Sequence, residues 1–136
     1  MTNDYLQTQV LTASPHRLHL MVVDGALRHA ARAEQAIESG DFEAAHFALN
    51  KSRDFVTELL SGLDPGPAPE LVGRLKNLFL FAYRKLAEAD RCRDARLVHD
   101  ARKILEMHRE TWVEAGRLQA SVDAAEVSET GHSWIT

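Results

Sequence analysis

Apolar residues recur at intervals of three and four along most of the chain, and no segment sustains the apolar-polar alternation of a half-buried strand. The spacing predicts four helices. The first, over residues 15–39, opens at Ser14-Pro15, a side-chain cap followed by a proline whose missing N–H costs nothing at the first helical position. Its stripe is Leu18, Met21, Val22, Gly25, His29, Ala33, Ala36 and Ile37, with Leu20, Val23 and Leu27 as apolar surplus beside it, and Ser39-Gly40 ends it. Asp41 caps a second helix over 42–61 with the stripe Phe42, Ala45, Leu49, Ser52, Val56, Leu59 and Leu60. Pro65, Pro67 and Pro69 interrupt the pattern, because proline lacks the donor that a helix interior uses. A third helix over 70–90 follows, with Leu71, Leu75, Leu78, Phe79, Ala82, Leu86 and Ala89 on one face and Leu80, Phe81 and Tyr83 off it. Residues 90–94 read as a polar turn, and Asp94 caps a fourth helix over 95–117 with Leu97, Val98, Ala101, Ile104, Leu105, His108, Trp112 and Ala115.

The connection at Gly40 is too short for anything but antiparallel neighbours. The expected fold class is therefore all-α, an antiparallel four-helix bundle within residues 1–117. Residues 118–136 contain no Lys or Arg, three acids and a mixture of Ser, Gly and Thr, and are expected to form a flexible, mobile tail. Before the first cap, Tyr5, Leu6, Val10 and Leu11 lie in a segment too short to fold alone, an N-terminal strap that either docks permanently on the bundle or swings away from it.

Composition narrows the functional classes. With 136 residues the chain is one domain large enough to bury a core without metal or disulfide staples. Cys92 is the single cysteine, which excludes an internal disulfide or a thiolate zinc cluster and fits a reducing compartment. The net charge of -4 argues against nucleic-acid binding, which needs a basic face. The start of the chain lacks a basic, then apolar, secretory pattern, and no apolar run approaches the ~18 residues of a membrane span. A cytoplasmic location without membrane insertion is expected. Charge is unevenly placed: residues 62–117 carry eleven bases against nine acids, whereas 1–61 carry five against eight, so the basic excess lies on the third and fourth helices.

Tyr5, then Val10-Leu11-Thr12-Ala13-Ser14-Pro15, Leu18, Met21 and Asp24-Gly25-Ala26 resemble the N-terminal signature of the flagellin export chaperones, the FliS family. The likeness continues through Ala36-Ile37-Glu38, Leu59 to Asp64, Tyr83-Arg84-Lys85-Leu86 with Ala89, Asp94, Leu105 and Trp112, and so covers Tyr5 to about Arg117. It departs at Val22-Val23, where the family usually has an aromatic before its Asp-Gly pair. The resemblance implies a chaperone without catalytic activity or cofactor that binds the C-terminal segment of flagellin, prevents premature polymerisation and hands its client to the flagellar type III export gate. Such a client offers an amphipathic helix to a groove. The residues expected to meet it are Tyr5, Leu6, Val10 and Leu11 in the strap, Leu18, Met21 and Val22 on the first helix, Val56, Leu59 and Leu60 on the second, and Leu78, Phe79, Phe81, Tyr83 and Trp112 around the groove. In the free protein the strap either covers this groove or remains packed throughout. Gly25 lies mid-helix, where glycine costs about 0.5 to 1 kcal/mol relative to alanine, so a close approach by an internal or a client helix should explain it.

Reactive chemistry is weakly supported. His16 and His19, three apart, lack the acid and third ligand of a metal site and read as solvent-facing. His46 with Lys51 resembles a histidine phosphotransfer bundle only loosely, because the accompanying glycine is absent. Cys92 between Arg91 and Arg93 reads as a bystander in a turn. A phosphotransfer bundle and a self-associating structural bundle are the alternatives to the chaperone reading.

Overall fold

Ser14 caps the first helix: its hydroxyl accepts the Arg17 amide at 3.2 Å, and Pro15 follows at the first position of α1, Pro15–Glu38. The structure is a computed structural model that describes residues 13–135. The chain turns at Ser39-Gly40-Asp41, where Gly40 takes φ +79° and the Asp41 carboxylate accepts the Ala44 amide at 3.1 Å to open α2, Phe42–Ser61. A positive φ of this size favours glycine because it has no Cβ to clash. Pro69 starts α3, Pro69–Cys92, which ends on a left-handed Arg93, and Asp94 accepts the Arg96 amide at 2.9 Å beside the start of α4, Ala95–Ile135. All regular structure among the described residues is helical. Each helix packs on two others, α1 and α3 both lying against α2 and α4.

The core is drawn from all four helices. Val23, Ala26, Ala30 and Ala33 of α1, Leu49, Ser52 and Val56 of α2, Phe79, Ala82 and Leu86 of α3, and Val98, Ala101 and Leu105 of α4 are fully buried. Alanines in α1 let its neighbours approach closely, and the larger side chains of α2, α3 and α4 fill the space. Ser52 is accommodated because its hydroxyl donates to the Ala26 carbonyl at 2.8 Å.

Four sequence expectations are corrected here. Val23 is a core residue, not surface surplus: the inward face of α1 is rotated so that Val23, Ala26 and Ala30 point inward while Leu18, Val22, His29 and Ile37 are half-buried. The departure from the usual aromatic therefore falls at a wholly buried position. Phe42 and Leu71, placed on the stripes of their helices, are exposed because each lies in the first turn, beyond the reach of its neighbours. Residues 90–92 are the last turn of α3, not a polar turn, since the Asp90 charge is met by His46 and Arg53 of α2. Lastly, α4 continues past Arg117, where the sequence predicts its end, to Ile135. No proline interrupts residues 118–130, and Leu118, Gln119, Ala120, Ala124, Ala125 and Glu126 are good helix formers.

Candidate functional site

The N-terminal half of α1 is fastened to α4 by a cluster of rings. His16 Nε2 donates to the Trp112 carbonyl at 2.7 Å, and Trp112 Nε1 returns a hydrogen bond to the His16 carbonyl at 3.1 Å, with the two rings stacked 5.4 Å apart. This arrangement needs Gly116, since the His16 ring occupies the space that a Cβ there would take. One turn further along α1, His19 lies 4.1 Å from the Trp112 ring centroid, and its Nε2 meets His108 Nε2 at 2.7 Å. Phe79 of α3 closes the cluster, its ring 4.9 Å from that of His108 and 6.1 Å from that of His19. His16 and His19 thus face α4, which corrects their reading as solvent-facing. Their spacing of three was legible, but their partners, His108 and Trp112, are about ninety residues away in the chain.

The His19–His108 contact requires one nitrogen to carry hydrogen and the other to offer a lone pair. Burial, and then the neighbouring His108 and His16, lower the pKa of His19 to about 4, and burial lowers that of His108. Both rings are therefore neutral when folded, whereas an unfolded histidine titrates near 6.5. Stability from this pair is complete above about pH 6.5 and is lost as pH falls from there toward about 4. We expect denaturant melts to lose roughly 2 kcal/mol across that interval, less than the full shift implies because the His19 ring is only half-buried. A His19→Gln variant should flatten the loss; an unchanged profile would show that other groups carry it.

Around this end of the bundle the expected contact residues separate. Leu18, Met21, Val22, Leu60, Leu78 and Trp112 are half-buried, and Val22, Leu60 and Leu78 pack on the core together with Leu63 and Leu75. Near them in the chain, His19 touches α3 and α4, while Gly25 and Ala26 meet Phe55 and Ser52 in the C-terminal half of α2. Val56, Leu59 and Phe79 are core residues, so a surface at this end is built from the others. Phe81 is 43% exposed and Tyr83 half-buried; two residues apart on a helix, they point about 200° apart and are not brought together. Tyr5, Leu6, Val10 and Leu11 lie outside the described residues. Exposed Phe47, Met107, Val113, Leu118, Val122 and Val127 were not anticipated. Of these, Leu118, Val122 and Val127 could have been found by extending the helical pattern past Arg117.

Gly25 is explained from within the bundle. A Cβ there would lie 2.6 to 2.8 Å from three carbons of the Phe55 ring, which stacks on His29 at 5.7 Å. Clefts lie elsewhere among the described residues. One, of about 440 Å³, is lined by Ile37, Phe42, His46, Leu49, Asp90 and Arg93, and another, of about 610 Å³, by His29, Ala36, Phe47 and their neighbours. At the rim of the first, His46 Nδ1 meets Asp90 at 2.7 Å while its Nε2 faces the Asn50 amide at 3.2 Å, so both ring nitrogens are engaged. Arg53 joins Asp90 at 3.2 Å. Among the described residues no helix is long and apolar enough to cross a membrane, and no group of three or more His, Cys, Asp or Glu could hold a metal ion.

An all-helical chain with half-buried apolar side chains at one end belongs to a class in which helical surfaces, rather than a reactive centre, are the natural point of contact. The family model of the flagellar protein FliS matches residues 1–119. The flagellar secretion chaperone FliS of Salmonella typhimurium (strain LT2) is 32% identical over 108 residues, covering 79% of this chain and 80% of that one. The protein of the same name from Bacillus subtilis (strain 168) is 30% identical over 111 residues, 82% of each chain, and the flagellar secretion chaperone FliSB of Pseudomonas aeruginosa is 28% identical over 100 residues, 74% and 79%. This chain belongs to the FliS family of flagellar chaperones, a chaperone family and not an enzyme family.

Proposed function

We propose that this protein is a cytoplasmic export chaperone, an antiparallel four-helix bundle that binds the C-terminal segment of flagellin, keeps it from polymerising and delivers it to the flagellar export gate. Family membership over residues 1–119 carries this reading. The reversed order of contacts along α1 and α4, from His16 with Trp112 to Glu34 with Arg102 and His99, supports the antiparallel arrangement. The half-buried Leu18, Met21, Val22, Leu60, Leu78 and Trp112 supply anchors for an amphipathic client helix, each worth roughly 1.5 to 3 kcal/mol before ordering costs. Tyr5, Leu6, Val10 and Leu11 enter the chain just before this end and form the strap that lies over the anchors until a client displaces it.

Titration of the purified chain with the flagellin C-terminal segment from the same organism is expected to give saturable binding, a negative heat-capacity change and a gain in helix, as for coupled folding and binding. Absence of binding at high micromolar concentrations would refute the proposal. Hydrogen exchange should report faster exchange at residues 5–11 once client is added. Unchanged protection there would leave the binding intact and eliminate strap displacement.

A further inference from the structure

α1 and α2 leave a trough between them on the side away from the core. To the cleft of about 610 Å³ α1 presents His29, Arg32 and Ala36, and α2 presents Ala44, Phe47 and Ala48. Both sets follow the three-and-four spacing of one helical face, so the trough lies along the two axes rather than across them. With Lys51 one turn beyond Phe47, it spans about two turns, or ~11 Å, of each helix. Its floor is small and apolar: Ala48 is buried and Ala36 half-buried, which lets a third helix approach more closely than larger side chains would. Phe47 stands beside this floor, 63% exposed, with Lys51 Nζ 5.4 Å from its ring centroid.

The rims of the trough are basic. Arg28 and Arg32 of α1 and Lys51 of α2 are exposed, and none of the three forms an ion pair among the described residues. Their charges converge on His29, whose pKa is lowered first by burial and then by Arg28, Arg32 and Lys51. In a chain of net charge -4 this is a local reversal of sign. At the turn between the helices the lining becomes acidic, with Asp41 and Glu43. An apolar floor between two basic rims is complementary to a helix whose apolar stripe is flanked by acids. The acidic end sets its direction: the partial positive charge of a helix N-terminus favours Asp41 and Glu43, and acids in the later turns then meet Arg32, Arg28 and Lys51.

We infer that this trough is a docking surface for an acidic amphipathic helix of a partner protein, separate from the client anchors, with the partner's apolar stripe on Phe47, Ala48 and Ala36 and its acids on Arg28, Arg32 and Lys51. The probe is a synthetic helical peptide about four turns long, with leucine at i, i+3, i+4 and i+7 and glutamate on both flanks, titrated into the isotope-labelled full chain. Amide shifts should be confined to residues 28–36 and 44–51, should saturate, and should require at least tenfold more peptide at about 0.5 M salt. Arg32→Glu with Lys51→Glu changes two exposed side chains outside the core, so the fold is kept while binding weakens at least tenfold. A peptide with lysine in place of glutamate should bind this variant better than it binds the wild type. Equal binding of the two peptides to the wild type, a charge-reversed variant that binds unchanged, or no saturation at about 1 mM peptide would each overturn the inference. Shifts confined to Leu18, Val22 and Leu60 would place the helix on the client anchors, and the same shifts on concentrating the chain alone would make a second copy the occupant; either result overturns it likewise. Flagellin takes no part in these titrations, so the client reading stands or falls separately.

Discussion

Alanine at position 79 is expected to lower the free energy of unfolding by about 3 to 5 kcal/mol, the range for removing a large buried ring. Phe79 is fully buried, and its ring is the surface on which both His108 and His19 rest. Truncation leaves a cavity that Leu86 and Leu105, already buried and held by their own helices, can only partly refill. It also loosens the histidine pair, whose 2.7 Å contact depends on the two rings being held steeply inclined to each other in a partly buried setting. Because domains of this size have total stabilities of only about 5 to 15 kcal/mol, the midpoint of thermal unfolding should fall by roughly 10 to 20 °C. Chemical denaturation of the wild-type and Phe79→Ala chains measures the difference. A loss below about 1 kcal/mol would contradict the central position assigned to this ring.

Leucine at position 25 is expected to cost about 3 kcal/mol or more, at the upper end for overpacking a tight interface. The first atom of any side chain there falls 2.6 Å from the Phe55 ring. Neither partner can withdraw freely: Phe55 is stacked on His29, and α2 is tied to α1 through the buried Ser52 hydrogen bond to Ala26. Alanine should cost less, about 1 kcal/mol, since its better helix propensity offsets part of the clash. The diagnostic experiment pairs Gly25→Leu with Phe55→Ala. Removing the ring should recover a large part of the loss, giving a coupling energy of about 1 to 3 kcal/mol, and additive effects would show that Phe55 is not what the glycine accommodates.

Much of the architecture was legible from local rules. The caps at Ser14 and Asp41, the stop at Gly40 and the proline interruption place three helix starts within a residue or so of where they occur, because each depends on backbone chemistry within a few positions. The inward face of α1 was read off by about one residue. Its alanines carry little hydrophobic signal, so the larger Leu18 and Val22 dominated the pattern although Val23, Ala26 and Ala30 fill the core. The extension of α4 was missed because serine and acid content outweighed the helix formers around them. Least legible was the ring cluster. His16, His19, Phe79, His108 and Trp112 come from three helices, and nothing local to any of them announces the others. The candidate surface was legible as composition and not as geometry: Phe79, Val56 and Leu59 look like Leu78 and Leu60 in the sequence, and only packing separates core from rim.

The measurement closest to the central claim is seeded polymerisation of flagellin followed by light scattering, with and without an equimolar amount of this chain. The expected result is suppressed elongation, released by excess free C-terminal segment, which competes for the same surface. Filament growth unaffected by the chain would contradict the account.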